Sequence, residues 1–512
     1  MSINNLSPEQ KYALYKFNRG ENLFITGPGG TGKTFLIRHL INSAKENKKH
    51  VQVCALTGCA SVLLNCSART IHSWSGIKLA RGDANTVVES VLRSNRILNN
   101  WRSVKILIVD EVSMMSKKIF NILNEIGKRV RHSPLPFGGI QVIFTGDFFQ
   151  LPPVGNNMND PGSEEFCFES DEWYKVFAME NHIQLNSMFR QKDQDYIDIL
   201  NEIRRGELSE KNIQRLEKYV GREYAKTDNN ILYTPTKLFP TRAKTDYTNN
   251  MMFNTLDEDE YHLELGVKTD CTVLLDGGNN KNGGKTFTYE QILKCQRMTP
   301  QEREYEIENL KNNTPCEKIL KLKKGSNVLC CANIDLDNGI CNGSQGIITR
   351  IEERGESTII EVRFANGVTR VIEPHWWQSE EYPCIAIKQY PLLLSWAMTI
   401  HKIQGATLDM AEIDIGSSIF EYGQTYVALS RIKSLNGLYL SDFNPNKIKP
   451  NPKVINFYKG IPKIDDAQKI EELEELEELE ELEQLEELEK SDNIFSKFEY
   501  KDLELDEEDY IE

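Results

Sequence analysis

The sequence lacks the paired cysteines and the long apolar runs that are typical of secreted and membrane-spanning proteins. Its 11 cysteines form no C-x-x-C pair, and the spacing of Cys54, Cys59 and Cys66 suits no common zinc site. An odd number of cysteines favours reduced thiols over a disulfide framework. No apolar run approaches the roughly 18 residues that a membrane span needs, and the initial MSINN lacks the basic and apolar regions of a signal peptide. We therefore expect an intracellular protein without a membrane partner.

Charge is distributed unevenly along the 512 residues. The net charge of the chain is −15, but residues 465–512 hold 23 acidic and 4 basic side chains, which leaves +4 for residues 1–464. A mildly basic body is compatible with nucleic-acid binding but does not demonstrate it. The length is enough for roughly two to four domains with their own cores.

A glycine-rich loop carries the clearest chemical signal. Leu23–Thr26 predicts a short buried strand, and GPGGTGKT from Gly27 to Thr34 follows it and opens a helix. This is the phosphate-binding pattern G-x-x-x-x-G-K-[ST] in its strand, loop and helix setting. Glycines let successive backbone N–H groups face phosphate oxygens at a helix N-terminus. We expect the Lys33 ammonium to reach the β- and γ-phosphates of ATP, and the Thr34 hydroxyl to bind Mg²⁺.

Two further hydrophobic stretches end in side chains suited to phosphate hydrolysis. Ile106–Val109 predicts a central parallel strand, and Asp110 and Glu111 follow at its carboxyl end, where open α/β sheets bind their ligands. Asp110 is expected to hold Mg²⁺, and Glu111 to orient and polarise the attacking water. Residues 141–147 predict another strand, and the Gln150 amide beyond it could sense a γ-phosphate.

Weaker signals surround these motifs. The Gln10 amide could pair with an adenine edge, although a surface glutamine is the ordinary alternative. Thr57 and Gly58 follow the second predicted strand, and Thr70–Trp74 brings a hydroxyl, the His72 imidazole and an aromatic ring together. Such groups contact phosphates and stack on bases, but a histidine and a tryptophan that fill the core would give the same pattern.

Taken in order, these residues resemble the motifs of PIF-type DNA helicases, RecD-like enzymes of superfamily 1 that move 5′ to 3′. The matching segments are 27–34, 70–73, 109–111, 146–154, 185–191, 195–206, 395–409 and 426–431. The match spans about residues 6–443, and the shared order of the motifs makes coincidence negligible. Ile403 is a departure, because the family commonly has serine there, and one polar DNA contact is therefore not carried over.

The resemblance implies ATP and Mg²⁺ as cofactors, and single-stranded and forked duplex DNA as partners. The expected catalytic residues are Lys33, Glu111, Gln150, Arg190 and Arg431. The expected nucleotide-binding residues are Gln10, Gly27, Pro28, Gly29, Gly30, Thr31, Gly32, Lys33 and Thr34, with Thr34 and Asp110 as Mg²⁺ ligands. The expected DNA contacts are Thr57, Gly58, His72, Thr399, His401, Lys402 and Gln404. Contacts to phosphates read no base sequence, which suits a tracking motor.

Arg190 and Arg431 are expected to act as arginine fingers that balance the charge developing on the γ-phosphate. For each, a surface salt bridge is the ordinary alternative. We expect both to come from the second motor domain, so that ATP closes the cleft between the domains and hydrolysis opens it. A difference in ATP affinity between the closed and open forms would then drive stepping along DNA.

The predicted fold class is α/β, with two tandem RecA-like P-loop motor domains, a small inserted SH3-like β-barrel, a short wedge insertion and an acidic C-terminal tail. The predicted division is 1–184 for the first motor domain, with the wedge within about 65–102, then 185–323 and 376–460 for the second, 324–375 for the inserted domain and 461–512 for the tail. Apolar runs that alternate with turns, including Asn366-Gly367, indicate the inserted β domain. Trp376 and Trp377 form either a stacking platform or part of a core.

The tail repeats Glu-Glu-Leu, and its leucines recur every three residues from Leu473 to Leu488. On a helix of 3.6 residues per turn such leucines spiral around the axis, so that no seam for a dimer forms. We predict a marginal helix or a disordered segment, and a monomeric motor. The tail either occupies the enzyme's own DNA channel, recruits a replication partner, or only keeps the chain soluble.

The sequence thus predicts an ATP-dependent 5′-to-3′ DNA helicase that translocates on single-stranded DNA and unwinds duplex in replication, repair or recombination. One alternative is a nucleic-acid-stimulated ATPase that translocates without separating strands. Another is a scaffold whose tail carries the function beside an inactive motor. An inactive motor need not retain Lys33, Asp110, Glu111, Arg190 and Arg431, and their presence argues against the scaffold.

Overall fold

The computed structural model describes residues 5–461 with gaps at 58–59, 62–63, 65, 67, 79, 81, 156–159, 225–234, 270–292, 294, 336–337, 356, 380–381 and 383. The predicted DNA contact Gly58 and the acidic tail from residue 462 onward lie outside the described residues. Among the helices that are described, none is long and apolar enough to cross a membrane.

Helices and strands alternate through the first half of the chain. The helices are α1 (Pro8–Asn18), α2 (Lys33–Glu46), α3 (Ile71–Ser75), α4 (Ala84–Leu92), α5 (Asn95–Ser103), α6 (Lys117–Val130), α7 (Trp173–Val176), α8 (Gln194–Arg205), α9 (Glu210–Glu217), α10 (Arg242–Thr255), α11 (Pro300–Asn313), α12 (Gln424–Leu429) and α13 (Pro452–Gly460). The strands of the first half are β1 (Leu23–Thr26), β2 (Val51–Ala55), β3 (Arg69–Thr70), β4 (Ile106–Asp110), β5 (Gln141–Gly146) and β6 (His182–Gln184). The remaining strands are β7 (Thr236–Phe239), β8 (Tyr261–Glu264), β9 (Gly266–Lys268), β10 (Ile319–Leu322), β11 (Asn327–Cys330), β12 (Gln345–Arg354), β13 (Ser357–Phe364), β14 (Thr369–Ile372), β15 (His375–Gln378), β16 (Ala386–Gln389), β17 (Leu392–Leu394), β18 (Ala397–Thr399), β19 (Ala411–Ile415) and β20 (Leu438–Phe443).

A six-stranded parallel sheet in the order β3-β2-β4-β5-β1-β6 forms the first unit. Alternate residues of its strands enter two separate apolar clusters. Leu107 and Val109 face one cluster, while Ile106 and Ile108 face the other. This burial on both faces confirms the central parallel strand predicted for 106–109.

Helices α3 to α5, within the segment where a wedge was predicted, pack into the first unit. Trp74 and Trp101 are buried with their ring centroids 4.7 Å apart. The Trp101 indole N–H donates to the carbonyl oxygen of Ser75 at 3.3 Å, which satisfies the polar end of this ring. Trp74 is therefore a core residue, as the alternative interpretation of the Thr70–Trp74 segment predicts.

A four-stranded parallel sheet in the order β18-β7-β19-β20 forms the second unit. Antiparallel strands interrupt it in sequence. The largest of these sheets has the order β14-β13-β12-β11-β17, and the predicted hairpin turn at Asn366-Gly367 is confirmed, with Gly367 at a φ of +86°. The predicted insertion of 324–375 is too narrow, because β17 belongs to this sheet and the buried Leu320 and Tyr390 belong to its apolar core.

The last described helix, α13, returns to the first unit. Phe457 packs among aromatic rings of the first unit, 4.3 Å from Phe168 between centroids. The Tyr458 hydroxyl shares a hydrogen bond of 2.5 Å with the Thr26 hydroxyl at the end of β1. The sequence-based division assigns this helix to the second unit, but its apolar face completes the core of the first.

A buried ion pair joins the two units beside this helix. The Asp147 carboxylate accepts two hydrogen bonds from Arg204 of α8, from Nε and Nη2, both at 2.9 Å. Asp147 is fully buried and Arg204 is 8% exposed. The guanidinium carbon also lies 4.4 Å from the centroid of the Phe149 ring and 5.3 Å from that of Tyr458. The pair fixes α8 against the loop that follows β5.

We expect Arg204→Ala to destabilise the protein by roughly 3–5 kcal/mol. It leaves the buried Asp147 carboxylate without its charged partner, with only the Phe149 N–H and the Tyr458 hydroxyl as donors among the described residues. The midpoint of urea unfolding measures the change. Adding Asp147→Asn to the variant is expected to restore part of the loss, since it removes the unpaired charge. Arg215→Ala, which breaks the exposed pair with Asp195, is the matched control and should barely move the midpoint. Equal shifts for Arg204→Ala and Arg215→Ala would contradict this role of the buried pair.

Candidate active site

The glycine-rich loop lies between β1 and α2, at the carboxyl edge of the first sheet. Gly30 and Gly32 have φ angles of +100° and +79°, in a region that residues with a Cβ rarely adopt. A Cβ at Gly30 would also lie 2.8 Å from the Cβ of Arg190. Both the backbone conformation and the close approach of Arg190 therefore require glycine at this position.

The Lys33 ammonium lies against its own loop. It donates hydrogen bonds to the carbonyl oxygens of Gly27 at 2.6 Å and of Pro28 at 3.0 Å. Burial lowers the pKa of Lys33, and the carboxylates of Asp147, Glu111 and Asp110 oppose that shift. A buried cation at the loop with three acids nearby suits the binding of a phosphate chain together with a divalent cation.

The two acids predicted at the end of β4 lie beside this loop. The buried Asp110 carboxylate accepts hydrogen bonds from the Thr145 hydroxyl and, at 2.9 Å, from the Glu111 N–H. Burial and the neighbouring Glu111 charge raise the pKa of Asp110 to about 6. Glu111 has the left-handed angles φ +56° and ψ +42°, which cost a residue with a Cβ about 1–2 kcal/mol. The packing around β4 therefore has to hold Glu111 in this strained backbone conformation.

Gln404 of the second unit reaches across to these acids. Its amide nitrogen lies 3.1 Å from a carboxylate oxygen of Glu111 and 3.5 Å from the amide oxygen of Gln150. The residue is only 7% exposed, and within the described chain its amide oxygen is buried without a hydrogen-bond partner. The β18–β19 loop turns this side chain into the cleft. The predicted contact of Gln404 with DNA stays a prediction.

Both predicted arginine fingers lie at the cleft. Arg431 is 2% exposed and donates to the carbonyl oxygen of Val427 at 3.0 Å and to the Ser430 hydroxyl at 2.9 Å. Arg190 donates to the carbonyl oxygen of Ser430 at 3.0 Å. In the part of the chain that the structure describes, neither guanidinium forms a salt bridge with a carboxylate. Two cations without a paired carboxylate are suited to an anionic ligand.

Arg190 belongs to the first unit. The Phe189 N–H donates to the Gly30 carbonyl oxygen at 2.9 Å, and the Leu185 N–H donates to that of Thr26 at 2.8 Å. The expectation that both fingers come from the second unit is therefore wrong for Arg190. The residues that follow β6 are hydrogen-bonded to β1 and to the phosphate loop of the first unit. Burial, and next the Arg431 charge, lower the pKa of Arg190 to about 10, so that it remains protonated at neutral pH.

Two further polar side chains, which sequence reasoning missed, make hydrogen bonds across the cleft near α12. The Tyr426 hydroxyl accepts a hydrogen bond of 2.9 Å from the Gly29 N–H. The Gln191 amide nitrogen donates to the carbonyl oxygens of Ser430 at 3.3 Å and Ile432 at 3.2 Å. Both residues lie in the segments 185–191 and 426–431 that carry the predicted arginines. Only their contacts across the cleft required the structure.

Gln10 is buried against the phosphate loop. Its amide nitrogen donates to the Thr31 carbonyl oxygen at 3.2 Å, and its amide oxygen accepts from the Ser7 N–H at 3.1 Å. Gln10 is 0% exposed, which rules out the surface glutamine that was the ordinary alternative. The predicted contact with an adenine edge remains a prediction.

The other predicted DNA contacts lie on loops and helix starts. The Thr57 hydroxyl accepts from the Ala60 N–H at 3.2 Å, and the Thr399 hydroxyl accepts from the Lys402 N–H at 3.3 Å. His72 is half-buried in α3, where burial lowers the pKa of its imidazole. The half-buried His401 ring stacks on the exposed Phe420 at 6.5 Å between centroids, and Lys402 is exposed. These side chains stay predicted contacts.

The donor set fits Mg²⁺ bound together with a nucleotide. Asp110 offers a buried carboxylate and Thr34 a hydroxyl, and no cluster of three or more metal-ligating side chains occurs among the described residues. Magnesium in nucleotide sites usually takes one or two protein ligands and completes its shell with water and phosphates. The sparse set of protein ligands is therefore the one that such a site requires.

Sequence models of known families match two parts of the chain. The model of the PIF1-like helicase family matches residues 5–214. The model of the DNA helicase Pif1 2B domain matches residues 306–351. The first match contains the phosphate loop and the acids of β4, and the second contains β10, β11 and most of β12.

Curated relatives match nearly the whole described chain. The ATP-dependent DNA helicase Pif1 of Bdellovibrio bacteriovorus is 33% identical over 463 residues, which cover 89% of this chain and 92% of that protein. The ATP-dependent DNA helicase PIF1 of Xenopus laevis is 31% identical over 464 residues, which cover 90% of this chain and 65% of that protein. The chain thus spans slightly less than two thirds of the length of the Xenopus relative.

Solved structures agree with these relatives. The crystal structure of Pif1 helicase from Candida albicans is 32% identical, with a TM-score of 0.67, and the match covers 90% of this chain and 100% of that one. The crystal structure of Bacteroides Pif1 bound to single-stranded DNA is 25% identical, with a TM-score of 0.57 over 90% of this chain and 97% of that one. These similarities support a RecA-like α/β helicase fold, and the chain belongs to the PIF1-like helicase family.

Proposed function

We propose that this chain is an ATP-dependent DNA helicase that moves 5′ to 3′ on single-stranded DNA and unwinds duplex. One observation carries the proposal: a glycine-rich phosphate loop and two acids of the first unit face Arg431 and Gln404 of the second unit across one cleft. A phosphate chain bound between them contacts groups from both units. Its hydrolysis therefore changes the relative stability of the closed and open cleft.

The residues divide the hydrolysis of ATP between them. Glu111 orients the attacking water and takes its proton, while Lys33, Arg190 and Arg431 balance charge on the γ-phosphate. Thr34 and Asp110 would hold Mg²⁺, which would supply positive charge for the phosphate chain. The Asp110 pKa of about 6 keeps this carboxylate largely ionised at neutral pH.

Gln404 offers a direct connection between ATP and DNA. It lies in the same loop as His401 and Lys402 and five residues after Thr399 at the end of β18, the proposed phosphate contacts, yet its amide lies 3.1 Å from Glu111. At most five residues separate the proposed DNA contacts from Gln404. If DNA displaces this loop, the contact between Gln404 and the catalytic carboxylate changes as well. This arrangement supports a motor whose hydrolysis responds to nucleic acid.

We expect Gln404→Ala to lower DNA-stimulated ATP turnover roughly tenfold, because a hydrogen bond to a charged group is worth about 1.5–3 kcal/mol. Affinity for single-stranded DNA should stay unchanged, and fluorescence anisotropy at constant salt measures it. Gln194→Ala removes an exposed amide that donates to Asp198 at 2.8 Å and should change neither quantity. Loss of DNA affinity without loss of stimulation would instead make Gln404 a DNA contact.

The finer assignments complete the proposal. The antiparallel sheet of β11 to β14 and β17 is an SH3-like domain, and α3 to α5 include a wedge that separates strands. Thr57, His72, Thr399, His401 and Lys402 contact the tracked strand. The motor is an intracellular monomer that acts on single-stranded and forked DNA in replication, repair or recombination. The acidic tail binds either the DNA channel or a replication partner.

ATP hydrolysis in the presence of single-stranded DNA tests the proposed motor. The expected result is strong stimulation by a single-stranded oligonucleotide with Mg²⁺ present, and no stimulated hydrolysis by Lys33→Ala. Stimulation without any strand displacement would favour the translocase. Absence of hydrolysis with every nucleic acid tested would favour the scaffold with an inactive motor.

A further inference from the structure

An exposed tryptophan lies on the small antiparallel sheet β9-β16-β15. Trp376 is directly opposite Lys388 in the register of β15 and β16, and Lys388 is in turn opposite Gly266 of β9. The Lys388 ammonium lies 5.4 Å from the centroid of the Trp376 ring, and the Lys268 ammonium lies 5.7 Å from it. The ring is 41% exposed. Two cations and one aromatic ring therefore share one outward surface.

Packing explains Trp377 but not Trp376. Successive residues of a strand point to opposite faces of the sheet, and Trp377 is 9% exposed in the core of the second unit. Of the two interpretations given for this pair, packing in a core therefore applies to Trp377 and not to Trp376. Trp376 points to the opposite face of the strand and keeps a large part of its surface, 41%, in contact with water.

Among the described residues, no carboxylate pairs with Lys268 or Lys388. The ammonium group of each lysine instead lies near the Trp376 ring. Their charge is complementary to a polyanion, and the ring is complementary to a nucleobase. Combined stacking and phosphate pairing is the chemistry by which single-stranded nucleic acids are held without regard to sequence.

We propose that Trp376, Lys268 and Lys388 form a binding site for single-stranded nucleic acid. A base stacks on the Trp376 ring and displaces the Lys268 and Lys388 ammonium groups from it, and each of them then pairs with a neighbouring phosphate. The site goes beyond the proposed motor, because it lies on neither parallel sheet and shares no residue with the ATP cleft. It would hold a strand independently of nucleotide state while the motor domains open and close.

Acrylamide quenching of tryptophan fluorescence can report on Trp376 within the full chain. The chain has six tryptophans, and Trp74, Trp101, Trp173, Trp377 and Trp396 are each at most 9% exposed. Acrylamide should therefore quench Trp376 first. Saturating oligothymidine is expected to protect this emission from acrylamide, and Trp376→Phe should remove the quenchable component. Because phenylalanine retains a ring, Trp376→Phe should keep most of the affinity, which shows that the sheet is folded.

Affinity measurements complete the test. Trp376→Ala is expected to bind oligothymidine about tenfold more weakly at constant salt, while its ATP hydrolysis without DNA stays at the wild-type rate. Lys268→Ala and Lys388→Ala should each reduce the slope of log affinity against log salt by about one. Tyr174→Ala, which removes a ring that is 49% exposed on the first unit, is the matched control and should bind as wild type.

Two results would overturn the proposal. One is a Trp376 emission that acrylamide quenches equally with and without oligothymidine, together with unchanged affinity of Trp376→Ala. The other is a Trp376 that is shielded in the full chain and becomes quenchable when residues 462–512 are deleted, which would assign the surface to the acidic tail. Because protection by oligothymidine needs no hydrolysis, failure of the proposed motor is a separate outcome.

Discussion

Replacing Arg431 with alanine is expected to lower the DNA-stimulated turnover of ATP by about 10³- to 10⁵-fold, the range typical of an arginine finger. The side chain is 2% exposed and lacks a salt bridge among the described residues. Its hydrogen bonds to backbone carbonyls and to Ser430 orient the guanidinium without neutralising it. The charge is therefore available for the γ-phosphate in the transition state, where it contributes most.

The controls for this variant separate charge from packing. Arg222 also donates to backbone carbonyl oxygens of the second unit, those of Leu435, Asn436 and Leu438 at 3.1–3.3 Å, but lies outside the cleft. Arg222→Ala should leave turnover within about twofold of wild type, whereas Arg431→Lys should recover only a small part of the loss. ATP binding, followed with a fluorescent analogue, should weaken far less than turnover falls. A loss of only a few-fold for Arg431→Ala would contradict the assigned role.

Glu111→Gln is expected to reduce turnover by about 10²- to 10⁴-fold, the usual contribution of general acid–base catalysis. The glutamine retains an oxygen that can accept from the Gln404 amide, so the contact across the cleft at 3.1 Å is preserved. It cannot take a proton from the attacking water. Single-turnover hydrolysis measures the chemical step directly, and binding of ATP and DNA should remain close to wild type.

The left-handed backbone at Glu111 supplies a second comparison. Glu111→Gly relieves the strain at φ +56° and should raise stability slightly while it abolishes fast hydrolysis, since the carboxylate is gone. Glu125→Gln, on the exposed face of α6, is the neutral control. Turnover by Glu111→Gln within tenfold of wild type would show that another group activates the water.

Local sequence was enough to predict the parts of the site that follow directly from one strand. The phosphate loop, the acids after β4 and the strand before Gln150 each combine a buried strand with a chemical group at its carboxyl end. A parallel sheet then brings these ends to one edge. The order of the strands in the sheet is not needed for that prediction.

Contacts across long sequence separations could not be predicted in the same way. Asp147 and Arg204 lie 57 residues apart, and Gln404 lies 293 residues from Glu111. Each residue was visible in a motif, but a polar side chain on a loop suits a DNA contact and a contact across the cleft equally well. The origin of Arg190 was predicted incorrectly for a related reason, because hydrogen bonding of 185–189 to the phosphate loop leaves no mark in the sequence.

The pattern of apolar residues also did not determine where the domains end. The helix α13 carries Val454 and Phe457 at helical spacing, which predicts that one face is buried but does not specify against what. Its partner is the aromatic cluster of the first unit, around Phe168 and Trp173. The strand β17 similarly joins a sheet whose other members lie before residue 373.

Strand displacement on two partial duplexes tests the central claim most directly. One duplex carries a 5′ single-stranded tail and the other a 3′ tail, with ATP and Mg²⁺ present and Lys33→Ala as the inactive control. Unwinding from the 5′ tail alone, lost in Lys33→Ala, is the result we predict. Unwinding from the 3′ tail alone, or unwinding that persists in Lys33→Ala, would contradict the proposed motor.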